Sequence, residues 1–287
     1  MSGFVNMKSL VDSENEGRSR YATFRKAVAQ VTTAGVWFDL SMSPGNPAPQ
    51  YYIGAINAAT PMRRSTDGGL DHGQPVGPGV KKYIRTTTLF SNSGTGLPLP
   101  VIGLDYLMFY PFVDESSTDY QEMINVNTLP RYTDGAGVQM MLVSVASRAG
   151  GASLSVTYTN QDGVSGRNTG TVIENTAAAN GNIVSSQRAN NLARGPFMPL
   201  QAGDTGVRSI DGVQMITPDV GLFTIVLVKP LFQTQIRGVD APVEKDHLLD
   251  STQLPQIYDD AYLNMICLPS GSLSGVSLYG DIKTTWN

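Results

Sequence analysis

Side chains that commonly perform chemistry are sparse in this 287-residue sequence. It holds two histidines, His72 and His247, which lie far apart, and one cysteine, Cys267. A zinc site needs about four Cys, His or carboxylate ligands, and the candidate ligands Asp67, Asp71 and His72 lie in one loop. Asp and His residues in loops more often form turns than bind metals. We therefore predict that the protein has no metal site.

Sequence patterns of catalytic and nucleotide sites are not found either. There is no GxSxG nucleophile elbow, no GxxxxGK[ST] phosphate loop and no GxGxxG between a strand and a helix. The adjacent pairs Asp114/Glu115 and Asp259/Asp260 would point to opposite faces of a strand, which does not suit a glycosidase acid and base. We interpret them as solvated loop residues and predict a protein that is not an enzyme and needs no cofactor.

Charge and hydropathy narrow the choice of partners. The net charge is −4, and charged residues make up 15% of the chain, against about 25% in typical soluble domains. Binding to nucleic acid requires a basic patch, and only two short basic clusters occur, at 18–26 and 81–85. The longest apolar run, 221–228, is far shorter than the ~20 residues of a membrane helix. The sequence therefore predicts no direct nucleic-acid contact and no membrane span.

Cysteine usage and the N-terminal residues indicate where the chain is made. A single cysteine cannot form an intramolecular disulfide, which is typical of proteins that fold in a reducing compartment. Residues 1–10 contain one lysine and no long apolar run, so they do not have the pattern of a signal peptide. We expect synthesis in the cytoplasm.

Short apolar runs separated by turn residues indicate the fold class. Leu154, Val156 and Tyr158 alternate with small polar residues, as in a half-buried strand, and 221–228 reads as a central strand buried on both faces. Segments at 61–79 and 175–194 are rich in turn residues and predict long loops. Strands spaced about ten residues apart predict a mainly β protein, an antiparallel β-sandwich or barrel of the jelly-roll or immunoglobulin-like type. Further strand candidates lie at 36–40, 51–53, 82–90, 104–110, 138–147, 171–173, 195–200, 206–215, 263–268 and 276–286.

The N-terminal segment has a different pattern. Ser13 and Glu16 are spaced as a capping box, and a stripe at three- and four-residue steps follows, which indicates a helix. We therefore divide the chain into an N-terminal helical arm at 1–34 and a β-rich domain at 35–287, with possible subdomains 35–133 and 134–287. The arm is predicted to attach the protein to a partner, and its deletion to leave the β domain folded. The candidate interface residues are Arg18, Tyr21, Phe24, Arg25 and Val28, and Val31 completes the stripe.

Several segments resemble structural proteins of tailed-bacteriophage virions. They are SLVDSENEGRSR at 9–20, WFDLSMSPGNP at 37–47, PLQAGDTGVRSI at 199–210 and LPSGSLSGVSLYG at 268–280. Among virion roles, the chain is most similar to a head decoration or cement protein, and a minor capsid or tail component remains open. This resemblance implies a non-catalytic protein of the virion, made in the host cytoplasm. It also implies contacts with a major capsid protein or another virion protein and with further copies of itself, in a homo-oligomer that could be a trimer.

Two other functions remain open from the residues alone. Aromatic side chains on a β-sandwich can form a sugar-stacking platform, so a carbohydrate-binding module or adhesin is the first alternative; buried aromatic residues are nevertheless commoner. A sandwich hydrolase is the weakest alternative. The aromatic candidates for a sugar platform are Tyr51, Tyr52, Tyr83, Tyr132 and Trp286.

Overall fold

A computed structural model describes residues 3–185, 195–251 and 254–287. The helices are α1 (Met7–Asn15), α2 (Arg64–Asp67) and α3 (His247–Ser251), and Leu40–Met42 forms a single 3₁₀ turn. The strands are β1 (Ser19–Ala27), β2 (Phe38–Asp39), β3 (Gly45–Asn46), β4 (Thr60–Pro61), β5 (Lys82–Ser91), β6 (Leu99–Asp114), β7 (Gln121–Glu122), β8 (Gln139–Ser144), β9 (Ser153–Asn160), β10 (Arg167–Asn168), β11 (Val172–Ile173), β12 (Val207–Met215), β13 (Leu222–Ile236), β14 (Val243–Asp246), β15 (Gln256–Ile257), β16 (Tyr262–Cys267) and β17 (Ser277–Trp286).

The strands form three antiparallel sheets. The terminal sheet, which contains the first and last strands, has the order β14–β5–β17–β1–β3, with β15 also paired to β5. The central sheet has the order β2–β16–β6–β13–β8, with β4 on β6, and the small sheet has the order β10–β9–β12–β7, with β11 on β9. The mainly β, antiparallel prediction is confirmed. Over the described ranges each sheet is open, so the architecture is one of stacked sheets and not a closed barrel.

The central sheet contributes side chains to two hydrophobic cores. One lies between the terminal and central sheets and includes Phe24 of β1, Val101 of β6 and Ile236 of β13. The other lies between the central and small sheets and includes Tyr110 of β6 and Ile225 of β13. Strands β6 and β13 are 16 and 15 residues long, and each contributes side chains to both cores. The central sheet takes strands from both predicted subdomains, whose boundary stays a prediction.

Loops cover the opposite face of the central sheet and create a third core. Trp37, Tyr52 and Met62 come from these loops and pack with Val226 and Tyr262 of the central sheet. Because loop side chains fill this face, β13 is buried on both sides. Its residues 223–228 are fully buried, which confirms the predicted central strand.

The predicted long loops are partly described. The 61–79 segment contains Pro61 of β4 and the one-turn helix α2 and is otherwise irregular. In 175–194, residues 175–185 contain no named strand or helix, while 186–194 lie outside the described residues. Across the three described ranges, no helix has both the length and the apolar character needed to cross a membrane.

The N-terminal segment begins with a short helix, but the predicted helix is wrong in its position. Helix α1 starts at Met7, where Asn6 and Ser9 form the capping box, and Ser13 is instead buried, with its hydroxyl donating to the Trp286 carbonyl. Residues 19–27 are strand β1, paired with β17 over the full length from Ser19↔Thr285 to Ala27↔Ser277.

The helical stripe was misread because alternate residues of β1 face the core. Ala22, Phe24, Lys26 and Val28 are all buried. The buried Lys26 interrupts the apolar alternation, which hides the strand pattern in the sequence. Its ammonium donates to the carbonyls of Ser43 at 2.9 Å and Pro47 at 2.8 Å, as a buried charge requires.

Deleting residues 1–33 is therefore expected to unfold the terminal sheet, opposite to the sequence-based expectation. The deletion removes a nine-residue strand and opens the core that contains Phe24 and Val28. Deleting only 1–17 removes α1 and keeps β1, so the melting temperature should fall much less than in the 1–33 deletion. Circular dichroism and thermal melts of both truncations check this expectation. A 1–33 deletion that melts like the full chain would contradict it.

Candidate functional site

The predicted interface residues lie in β1 or directly beside it, and they divide between exposed and buried positions. Arg18, Tyr21 and Arg25 are exposed, and Tyr21 keeps 66% of its surface in solvent. Phe24 and Val28 are each 1% exposed and belong to the core between the terminal and central sheets. The structure therefore leaves three of the five candidates on the surface, while Phe24 and Val28 cannot contact a partner.

The outer side of the terminal sheet carries a set of aromatic and basic side chains. The Phe90 and Tyr279 rings stack with centroids 5.2 Å apart and planes at 16°, and the Arg25 guanidinium lies 5.7 Å from the Tyr279 centroid. Next to them, the Lys283 ammonium lies 5.6 Å from the Tyr21 centroid. We call Tyr21, Arg25, Phe90 and Tyr279 the aromatic face. Cross-strand pairing of β5, β17 and β1 holds them side by side.

A second surface is apolar. Ile53, Ile56, Ile124 and Val126 are 76%, 66%, 52% and 70% exposed, and we call them the apolar strip. Their two segments are joined by backbone hydrogen bonds, since the Ile124 amide donates to the Asn57 carbonyl at 2.8 Å and the Ile124 carbonyl accepts from Ala59 at 2.9 Å. Exposed apolar patches commonly mark protein contacts, and these backbone bonds place the two segments that carry the four side chains next to each other.

The histidines are buried and engaged with protein groups. His72 Nε2 lies 3.0 Å from the Ala261 carbonyl oxygen and Nδ1 lies 3.5 Å from Lys82 Nζ. Burial, helped by the Lys82 charge, lowers the pKa of His72 to about 4. Asp71 turns away to Arg20 and Arg64. The loop therefore does not bring His72 and its neighbouring aspartates together as ligands.

His247 and Cys267 are also part of the interior. His247 Nε2 lies 2.9 Å from the Thr87 hydroxyl, and burial lowers its pKa to about 4. The Cys267 thiol is fully buried, and burial raises its pKa. Neither group is placed to act as a nucleophile or base toward solvent.

The interpretation of the Asp114/Glu115 pair as solvated is wrong for Glu115. Its side chain is buried and meets Arg148, whose Nε lies 3.2 Å from Oε1. The same guanidinium bonds Glu174 and lies 3.9 Å from Asp219, and it donates to the Asn175 carbonyl at 3.0 Å. The prediction failed because these partners are distant in sequence.

The buried group has three carboxylates and one guanidinium. Ligand oxygens of Glu115, Glu174 and Asp219 lie within 4.8 Å of one another, a spacing that could hold a metal ion. Arg148 already contacts all three, so we interpret the group as a cross-link between distant loops. Burial is the main cause that raises the pKa of Glu115 to about 7 and that of Glu174 to about 8. Sequence reasoning gave no sign of this group.

Comparisons with known proteins do not assign a family. No protein-family model matches the sequence, and no curated protein matches it. Three weak structural neighbours come from structures of a virus or of its subviral particle. They are chains from infectious bursal disease virus Gt strain (10% identity, 94% of this chain and 80% of that chain, TM-score 0.20), its VP2 subviral particle (9%, 93% and 79%, 0.16) and its Gx strain (11%, 94% and 80%, 0.15). TM-scores this low do not establish a common fold.

Proposed function

We propose that this protein is a non-enzymatic structural component of a phage virion, specifically a capsid decoration or cement protein. The observation that carries the proposal is the apolar strip, four large aliphatic side chains at 52–76% exposure on two hydrogen-bonded segments. Exposing such a surface to water is unfavourable by about 25 cal/mol per Å². Burial of the strip against a protein partner therefore stabilises the complex.

The proposed partners are a major capsid protein, or another virion protein, and further copies of this chain. The low charged fraction of 15% supports such contacts, because few ions must lose their hydration when large surfaces are buried. A protein that binds the assembled lattice, and not its unfolded subunits, stabilises the shell by mass action. Closed cyclic symmetry is the common arrangement of homo-oligomers, and a trimer is the form we propose for this one. No direct contact with nucleic acid or membrane belongs to the proposal.

Placing charge in the apolar strip is expected to weaken attachment strongly without unfolding the protein. In the double variant Ile53→Asp/Ile124→Asp, both sites are on the surface, where substitutions usually change stability by about 0.5 kcal/mol or less. Purified variant added to particles that lack the protein should bind at least about tenfold more weakly than wild type, and should not restore their resistance to heat. Cosedimentation and particle melting measure the two effects.

Val164→Asp serves as the matched control, because Val164 is 51% exposed in the turn that follows β9. It should bind like wild type. If the double variant still binds and protects particles, the strip is not the contact. Particles that are equally robust with and without the protein would overturn the cementing role itself.

A carbohydrate-binding module or adhesin is the second candidate, and the aromatic face favours it. The stacked Phe90 and Tyr279 rings beside Arg25 resemble a platform on which a sugar ring could pack through its C–H groups. A glycan array separates the two functions, because an adhesin binds a defined sugar and a cement protein does not. Loss of that signal in Tyr279→Ala would assign it to the aromatic face.

A further inference from the structure

A cleft opens between the central sheet and the edge of the terminal sheet. Its volume is about 450 Å³, within the ~300–1,000 Å³ range of small-ligand sites. The walls come from β13 on one side and from β14, α3 and β15 on the other. Its side chains combine two lysines, two aromatic rings and two amides: Lys229, Lys245, Tyr132, Phe232, Gln233 and Gln256.

The cleft carries two lysine ammonium groups and no carboxylate among its described lining residues. Within the described ranges, neither lysine forms an ion pair. Lys229 donates to the Ala136 carbonyl at 2.8 Å and Lys245 to the Gln233 carbonyl at 2.9 Å. An ammonium has three donors, so each lysine can also donate to a ligand. His247 in the wall is neutral at pH 7 because burial lowers its pKa to about 4.

Aromatic rings in the cleft are held in fixed positions. The Tyr132 ring packs edge-on against Tyr258, with centroids 4.9 Å apart and planes at 88°, and the Lys229 ammonium lies 5.3 Å from the Tyr132 centroid. Phe232 packs against the His247 ring, 5.1 Å away. A rigid ring next to an ammonium suits a ligand that has both an apolar face and a negative charge.

The cleft continues into a second groove of about 860 Å³. The two share Gln233 and Lys245, and the groove adds Arg237 together with Glu244 and Asp250. The described lining of the cleft therefore carries lysines and no carboxylate, while that of the groove carries charges of both signs. A ligand that places one acidic unit in the cleft and neutral, hydroxyl-bearing units in the groove matches this arrangement.

We propose that the cleft binds an acidic saccharide. Its carboxylate accepts hydrogen bonds from Lys229 and Lys245, its sugar ring packs against Tyr132, and its hydroxyls bond the amides of Gln233 and Gln256. Charge-assisted hydrogen bonds of this kind are among the stronger polar contacts. The site is separate from the apolar strip and needs no particle for occupancy. It deepens the second candidate function but uses different residues from the aromatic face.

The probes are D-glucuronic acid, its neutral counterpart D-glucose, and acetate, each titrated into the full chain with binding followed by NMR or calorimetry. D-glucuronate should bind at least about tenfold more tightly than either D-glucose or acetate. Lys245→Gln should lower the affinity for D-glucuronate by about tenfold, while Lys245→Arg, which keeps the charge, should retain it. Lys8→Gln is the control for net charge, since the Lys8 side chain is 81% exposed on α1, and should have no effect.

Thermal melts of each variant establish that it is folded before binding is measured. Equal affinity for D-glucose shows that the lysines are not used and overturns the proposal. Equal affinity for acetate shows an anion site without sugar recognition and overturns it as well. If Tyr279→Ala loses saccharide binding while Lys245→Gln keeps it, sugar recognition belongs to the aromatic face, so the cleft proposal fails while the second candidate function stands.

Discussion

Replacing Arg148 by methionine is expected to destabilise the protein by about 3–5 kcal/mol, because it leaves three buried carboxyl groups without their cation. Arg148 and its partners Glu115 and Glu174 have no side-chain exposure, and Asp219 has 7%. Urea unfolding at pH 8 measures the loss. Arg18→Met is the control, because Arg18 pairs with Glu16 on the surface and such pairs contribute about 0–1 kcal/mol.

The same group makes stability depend on pH. The pKa values of Glu115 and Glu174, about 7 and 8, lie above the ordinary value of 4.5, so the folded state holds protons that the unfolded chain has released. Stability from these groups is therefore fully present below about pH 4.5 and is lost as pH rises to about 8. Glu174→Gln removes one of these titrations, so its stability should fall less steeply from pH 5 to 8 than that of wild type.

The difference between the two pH profiles is the informative quantity. Other buried groups, including His72, His247 and Asp105, also have shifted pKa values, and their contributions cancel in the comparison. Parallel profiles for wild type and Glu174→Gln would contradict the expected protonation of Glu174. An Arg148→Met variant as stable as wild type would show that the guanidinium does not hold the loops together.

Replacing Val226 by aspartate is expected to cost about 4 kcal/mol or more, a large part of the about 5–15 kcal/mol by which a folded domain is stable. Val226 has no exposed surface and lies opposite Phe109 of β6 and Met141 of β8. An aspartate there would have to bury an unpaired charge or a protonated carboxyl. Gln233→Asp, at an exposed position of the same strand, should melt like wild type, and a normally melting Val226→Asp would place β13 at an edge.

Strands with local sequence signals were predicted well. In β13 the apolar run at 222–228 is interrupted only by Thr224, and in β9 the alternation of Leu154, Val156 and Tyr158 is unbroken, so burial could be inferred from neighbouring residues alone. The buried pattern of β9 follows that alternation along the whole strand. The mainly β class follows from such segments.

Features that depend on distant partners could not be predicted. Lys26 can face the core because its ammonium donates to carbonyls of the 41–47 segment. No pattern in the sequence near Lys26 predicts these contacts. Glu115 is buried because Arg148 reaches it from a loop 33 residues away. The cleft combines Lys229 with Lys245 only because the central and terminal sheets stack. In each case, the sequence identifies a charged residue, but the residues that surround it are brought there by the tertiary fold.

The long β6–β13 pair determines how the central sheet resists a force along its strands. Its register runs from Leu222↔Asp114 to Ile236↔Leu99, a ladder of about 50 Å at ~3.4 Å per residue, and β16 and β8 flank it on either side. A force along these strands acts in shear, so many hydrogen bonds must break together and not one after another. Because both strands pass through two cores, tension applied at one end is transmitted along continuous backbone to the other.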